Sequence, residues 1–267
     1  MNNFFKKKLR PAIFAMAATT IAITAGACFK EIEQNPDDPG NPGTGGGISG
    51  NNIYSGLVAY YSFDDGTGCD ATSNQVDGIL LNGVTTIPGI RGTAVMLNAF
   101  QNQYFNIPYN LFAGLEKFSV SLWIMDFGPG CIFAAQNSNT TNSYYDEPYF
   151  SANQNGKFSI TGGNNYSNTG IQFSYNYQNQ GIQSGNWHHI VVSLNSSIAK
   201  LYIDGSLVDQ TSINYHVANN NNCSKVVFGG DKEGSYDIKS SMKLDEIRIY
   251  NRELTANEVK KLYNLNY

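Results

Sequence analysis

From Gly56 to Tyr250 the sequence runs in short apolar alternations of period two, divided by turn residues, and then closes on one helical stretch. Leu57, Ala59, Tyr61 and Phe63 alternate with Val58, Tyr60 and Ser62. Phe118, Val120, Leu122 and Ile124 alternate with Ser119, Ser121 and Trp123, and Ile190, Val192 and Leu194 follow His188 and His189 in the same rhythm. A period of two sends successive side chains to opposite faces, so each run is a strand with one face for a core. Asp204 and Gly205 separate "AKLYI" from "SLVDQ", a strong hairpin signal, and a two-residue turn there pairs Leu201 with Val208. Many short strands with frequent turns predict an all-β fold, a two-sheet antiparallel sandwich with a short C-terminal helix, over residues 53–267.

The last segment, "KLDEIRIYNRELTANEVKKLY" from Lys243, reads as strand, turn and helix. Alternation places Asp245, Ile247 and Ile249 on one face, and Leu244, Glu246, Arg248 and Tyr250 on the other. Asp245 is thereby expected to point with two isoleucines toward the core, where a carboxylate is costly without a cation or a set of donors. Thr255 and Glu258 have capping-box spacing, with Leu254 and Val259 as the hydrophobic staple. Val259, Leu262 and Tyr263 then form one apolar stripe on a helix of about two turns.

Three segments in order, "GLVAYYSFDDGTG" from Gly56, "WHHIVVSLNSSIAKLYIDGSLV" from Trp187 and "LDEIRIYNRELTANEVKKLY" from Leu244, resemble the laminin-G-like, concanavalin A-like sandwich domains of bacterial exported proteins. The resemblance implies a jelly-roll sandwich of two sheets. It extends to "GIRGTAVML" and "QYFNIP", which correspond to two short core strands, and to the strand of Trp123, whose expected role is packing.

The chain has 267 residues, 17 basic and 21 acidic. Lys6, Lys7, Lys8 and Arg10 precede the apolar run Ala12–Ala25, the pattern of a signal peptide over residues 1–27. Ala25, Gly26, Ala27 and Cys28 resemble a bacterial lipobox, which implies lipidation of Cys28 and an outer-membrane lipoprotein exposed at the cell surface. Lys30, Glu31 and Glu33 resemble the charged export tag of Bacteroides-type surface lipoproteins. Residues 28–52, with "PDDPGNPGTGGG", are expected to be a flexible tether. Removing the leader takes four of the 17 basic residues, leaving 13 against 21 acidic, a net charge of −8. That balance, without any basic tract, excludes nucleic acid as a partner.

Asp64, Asp65, Asp70 and Asp77, with Asn74 among them, form an oxygen-rich cluster of the kind hard cations prefer, though Asp and Asn also populate turns for backbone reasons. The resemblance implies a structural Ca²⁺ between the first and last strands, so Asp64 and Asp245 are the expected ligands, with Asp70 and Asp77 beside them. The competing expectation is that backbone amides alone satisfy Asp245. The stretch from Asn137 to Gln183 is dense in Tyr, Asn, Gln and Ser, a chemistry that suits sugar rings and hydroxyls. Tyr144, Tyr145, Tyr149 and Tyr166 are its candidate ligand-binding residues, whereas Phe173, Tyr175 and Tyr177 share one strand face.

If Cys28 is acylated, Cys69, Cys131 and Cys223 allow at most one disulfide, with Cys131–Cys223 favoured because Cys69 sits in the candidate metal turn. Glycosidases of the resembled fold carry paired carboxylates on one strand. No "E-x-D-x-x-E" motif is present, and Asp245 and Glu246 are expected on opposite faces. His188 and His189 have no third histidine or acidic neighbour in sequence for a zinc site. The residues therefore predict a non-catalytic module with a glycan or an extracellular protein as its ligand.

Overall fold

A computed structural model describes residues 52–136, 148–161, 171–182, 184–213, 223–230 and 239–265. In chain order its elements are β1 (Leu57–Tyr61), β2 (Ile79–Leu81), β3 (Thr85–Pro88), β4 (Thr93–Leu97), β5 (Tyr104–Ile107), β6 (Phe118–Met125), β7 (Gly130–Gln136), β8 (Tyr149–Ala152), β9 (Lys157–Thr161), β10 (Ile171–Asn176), β11 (His188–Leu194), β12 (Ile198–Ile203), β13 (Ser206–Ser212), β14 (Lys225–Phe228), β15 (Met242–Tyr250) and helix α1 (Ala256–Asn264). The first sheet runs β13-β12-β11-β6-β15-β4-β3, with β1 also paired to β15, and the second runs β10-β9-β8-β7-β14-β5-β2. Every strand pair is antiparallel. The expected two-sheet sandwich is the fold.

The inner faces follow the alternation. Phe118, Val120, Leu122 and Ile124 of β6 join Ile190, Val192 and Leu194 of β11 in one cluster with Phe105, Phe133, Phe150, Phe158 and Phe228 of the second sheet. Rings from four neighbouring strands meet at centroid distances of 5.5 to 5.9 Å, Phe133 with Phe150, Phe133 with Phe228 and Phe105 with Phe228. Large apolar side chains from both sheets thus fill the space between them, and their burial is the main favourable term for the sandwich. Tyr177, fully buried, packs at the same level and donates its hydroxyl to the Asn153 carbonyl at 2.7 Å.

Helix α1 closes the far side of the first sheet. The Thr255 side chain accepts from the Glu258 amide while the Glu258 side chain accepts from the Thr255 amide at 2.8 Å, so the predicted capping box is present. Leu254, Val259 and Leu262 are buried with Val191, Tyr202 and Tyr250, a second small core outside the sandwich. Trp123 belongs to that outer layer, its ring stacked on Tyr263 with centroids 5.6 Å apart. Its packing role is as expected.

Two registers depart from the sequence expectation. The Asp204–Gly205 turn, with φ of 49° and 76°, joins Ile203 to Ser206 and Tyr202 to Leu207, but a bulge then pairs Leu201 with Asp209 in place of Val208. In β15, Leu244 pairs with Ile124 and Asp245 with Trp123, after which the register shifts before Arg248. Leu244, Ile124, Ile247 and Ile249 are all in the inter-sheet core. Asp245, opposite the outward Trp123, therefore faces away from it. Glu246, at φ 53°, is the residue that resets the alternation.

Cys131 and Cys223 are both buried and are not joined to one another. The favoured Cys131–Cys223 pair is thereby corrected. Cys131 packs with Ala134 and Val227, whereas Cys223 belongs to the inter-sheet core, so the two sulfurs sit in separate clusters.

Candidate functional site

The aspartates expected to hold a cation hold backbone instead. Asp245 is fully buried, its Oδ2 accepting from the amides of Ile90 at 2.9 Å and Arg91 at 3.2 Å and its Oδ1 from that of Glu246 at 2.8 Å. Asp64 Oδ1 accepts from the Thr93 amide at 2.9 Å. Both carboxylates thus grip the loop between β3 and β4. The glycines of "GIRGT" explain the fit: a Cβ on Gly92, at φ +57°, would stand 1.9 Å from Asp64 Oδ1, and one on Gly89 would stand 2.3 Å from Asp245 Oδ2. Burial pushes the Asp245 carboxyl up to about 8, with the amide of Arg91 the strongest influence in the other direction.

Asp70 is equally engaged. Its Oδ1 accepts from the amides of Tyr60 and Thr72, each at 2.9 Å, and its Oδ2 accepts from Thr72 Oγ1 at 2.7 Å and the Val76 amide at 3.1 Å. The Asp77 side chain accepts from the Asp70 amide at 2.9 Å. A hard cation needs oxygen lone pairs converging on one point, and here N–H and O–H hydrogens engage both oxygens of Asp70 and Asp245, while Asp64 and Asp77 each accept one backbone amide. Among the described residues no three His, Cys, Asp or Glu side chains gather where a metal could sit. As arranged here, Asp64, Asp70, Asp77 and Asp245 do not gather around one cation position.

The outer face of the first sheet, beneath α1, carries ionised groups that pair with each other. Arg248 Nη2 donates to Glu246 Oε2 at 2.7 Å, and the Tyr60 hydroxyl, 2.8 and 2.9 Å from the two Glu246 oxygens, donates to the same carboxylate. The Arg248 guanidinium lies 4.0 Å from the centre of the Tyr60 ring. Beside them His189 is buried, with Nε2 2.8 Å from Ser121 Oγ. Burial, helped by the charge of Arg248, pushes its pKa down to about 3, so the ring is neutral. His188 Nδ1 lies 2.9 Å from Asp204 Oδ2, an acidic neighbour that only the hairpin brings into reach. Asp245 and Glu246 both lie beneath the surface with every oxygen engaged. Neither can meet a substrate.

The outer face of the second sheet is different in kind. One row of paired residues crosses it, running Tyr149 (β8), Ala134 (β7), Val227 (β14), Asn106 (β5) and Ile79 (β2). Ala134 and Val227 form a small apolar floor with Cys131, and half-buried Tyr104 and Tyr149 pack against it. The Asn106 side-chain oxygen is buried with no hydrogen-bond partner among the described residues. In the neighbouring row Ser151 and Ser159 bond to each other at 2.9 Å, and Asn153 lies 3.2 Å from Ser159. Of the four candidate ligand-binding tyrosines, Tyr149 is placed on this face. Tyr144, Tyr145 and Tyr166 lie outside the described residues, as does Cys28. Tyr104 was not among the sequence candidates, because only the strand order brings it across the floor from Tyr149.

Residues 100–260 match the family model described as the concanavalin A-like lectin/glucanases superfamily. The chain belongs to that superfamily. Its sandwich is similar to domain 4 of AbnA, a GH43 extracellular arabinanase from Geobacillus stearothermophilus solved in complex with arabinotriose, with a TM-score of 0.55 and 22% identity over 78% of this chain and 98% of that one. It is also similar to the botulinum neurotoxin serotype C1 binding domain, with a TM-score of 0.62 and 18% identity over 81% of this chain and 53% of that one. In sequence it is 27% identical to Paraclostridial mosquitocidal protein 1 from Paraclostridium bifermentans over 214 residues, which is 73% of this chain and 16% of the toxin. This superfamily member thus spans a small part of that toxin and about half of the neurotoxin domain. The similar toxin structures are binding domains.

Proposed function

We propose that this protein is a non-catalytic carbohydrate-binding module, exported and held at the outer membrane by a lipid on Cys28. The observation that carries the reading is the row Tyr149, Ala134, Val227 and Asn106, in which half-buried Tyr149 and Tyr104 pack over the buried Ala134 and Val227, with the Asn106 amide oxygen unpaired among the described residues. Sugar rings present apolar C–H faces and a rim of hydroxyls. A tyrosine face suits the first, and a lone amide acceptor gains by taking a hydrogen bond from the second. The AbnA domain bound to arabinotriose and a botulinum neurotoxin DC binding domain in complex with SialylT support a saccharide over another small molecule. A neurotoxin binding domain in complex with rat synaptotagmin II supports an extracellular protein as the second reading.

A hydrolytic role has no support in the site, because Glu246 is committed to Arg248 and Tyr60 and Asp245 to three amides. The binding reading is tested on a glycan array with the purified full chain. Tyr149→Ala is expected to lower affinity for the glycan bound by wild type about fivefold, the loss of one ring contact of roughly 1 kcal/mol. Unchanged affinity moves the site off this face. The anchor is tested separately by Cys28→Ser, which should release the protein from membranes and abolish any acyl mass.

A further inference from the structure

The side chain with the least structural employment in the described chain is Phe100, 96% exposed on a 3-10 turn at Ala99–Gln101 between β4 and β5. Exposing a phenylalanine completely forgoes the burial that usually accounts for one. The turn around it is built to stay in place. The Asn98 side chain accepts from the Phe100 amide at 3.0 Å, and Asn102, at φ 54°, closes the turn onto the Ala99 carbonyl. Gln103, only 4% exposed, accepts from the Asn98 amide at 3.1 Å and donates to the Gly83 carbonyl at 2.7 Å and to Gln101 Oε1 at 2.9 Å. The Ala99 amide is tied to Ser241 Oγ at 3.0 Å. A buried glutamine with bonds on both ends thus fixes a turn whose outward product is one aromatic ring.

The side chains that brace the turn are neutral amides, from Asn82, Asn98 and Gln101, and the Lys239 ammonium is bonded to the Asn102 side chain. Among the described residues, a ring carried on a turn of amides, with the Lys239 ammonium already bonded to Asn102, offers little to a phosphate headgroup and has no apolar rim of the kind expected of a protein hot spot. It matches a neutral sugar, with stacking for the ring face and amides for the hydroxyls. The turn leads straight into β5, whose Tyr104 and Asn106 belong to the face described above. Four residues of chain limit the separation of Phe100 and Tyr104 to about 14 Å. A saccharide of a few units covers that span.

We propose that Phe100 is a second stacking platform, at the rim of the sandwich, which engages a neutral oligosaccharide already seated on the Tyr149–Asn106 row. The proposal rests on the carbohydrate reading and adds the ligand's class: an uncharged chain of several sugar units, not a single sugar. Its test is a length series of neutral oligosaccharides, one to six units, titrated into the full chain and its variants. Phe100→Ala is expected to lower affinity about fivefold for the longer members and to leave the shortest unchanged, with Phe100→Trp restoring it. Its melting temperature should match wild type, since the side chain contacts nothing that folding buries. Equal affinities of Phe100→Ala and wild type at every length overturn the proposal while a Tyr149→Ala loss preserves the carbohydrate reading. If wild type binds no saccharide in the series, both fall. If Phe100→Ala leaves saccharides unaffected but ends binding to phosphatidylcholine vesicles, the ring serves a lipid surface and the proposal is wrong.

Discussion

The two sheets bury the same kind of side chain where they meet and opposite kinds where they turn outward. On its outer face the first sheet holds Glu246, Arg248 and Asp245, buried groups paired within the chain, and His189, bonded to Ser121 through Nε2 alone. The second sheet carries tyrosines, serines, an unmatched amide oxygen and a small apolar floor. The charged pairs of the first face are buried and spent on one another, although His189 Nδ1 and the Tyr250 hydroxyl find no partner among the described residues, and the second face differs in carrying half-buried tyrosines and one unpaired amide oxygen, that of Asn106. The location of charge is thus a poor guide to the proposed binding side.

The sharpest way to break the comparison is to remove one partner on each face. Glu246→Ala leaves the Arg248 guanidinium buried and uncompensated, and is expected to destabilise the fold by about 3–5 kcal/mol in urea denaturation. Ser159→Ala, which removes a neutral hydroxyl bond on the opposite face, should cost about 1 kcal/mol. Comparable losses would erase the distinction.

The pH profile sharpens it further. His189 titrates near 3 when folded and near 6.5 when unfolded, so the stability it contributes is complete above 6.5 and is lost as pH falls toward 3. Asp245, raised to about 8 from 3.8, acts in the reverse sense, with stability present below 3.8 and lost as pH rises through 8. The two slopes, each about 1.4 kcal/mol per pH unit, oppose one another between roughly 4 and 6.5. Wild type should therefore hold a plateau there and lose stability on both sides. Asp245→Asn should abolish the loss between 6.5 and 8 and uncover the His189 slope below it, measured by denaturant midpoints across pH. Tyr149→Ala, on the other face, should leave the profile unshifted while weakening saccharide binding about fivefold.

The smallest effect concerns metal. Because amide hydrogens fill the lone pairs of Asp70 and Asp245, thermal melts in excess calcium and in chelator are expected to coincide. A higher melting temperature with calcium would show that the carboxylates rearrange around an ion and would reopen the metal reading.

Much of the fold was legible, because strand alternation, the Asp204–Gly205 turn and the Thr255–Glu258 box are local signals read from neighbouring residues. The error at Asp245 arose from one backbone event. A left-handed residue at Glu246 shifts the phase of β15, and nothing in the side chain of a glutamate announces a positive φ. Half of the candidate site was hidden for another reason. Tyr149 stood out by composition, but Tyr104 and Asn106 join it only through the strand order β8-β7-β14-β5, a long-range property that no window of sequence contains. The aspartates were correctly singled out as needing partners. Those partners were backbone amides of the "GIRGT" loop, which have no sequence signature.

The strand that β1, β4 and β6 all pair with, β15, is the last one made, with Leu57 meeting Tyr250 across it. A chain made from its N-terminus would carry β1, β4 and β6 with their common neighbour still missing until β15 is made. Such long-range pairing delays folding until the end of the chain arrives. The first sheet is therefore completed only when β15, the last of its strands along the chain, pairs with β1, β4 and β6 at once.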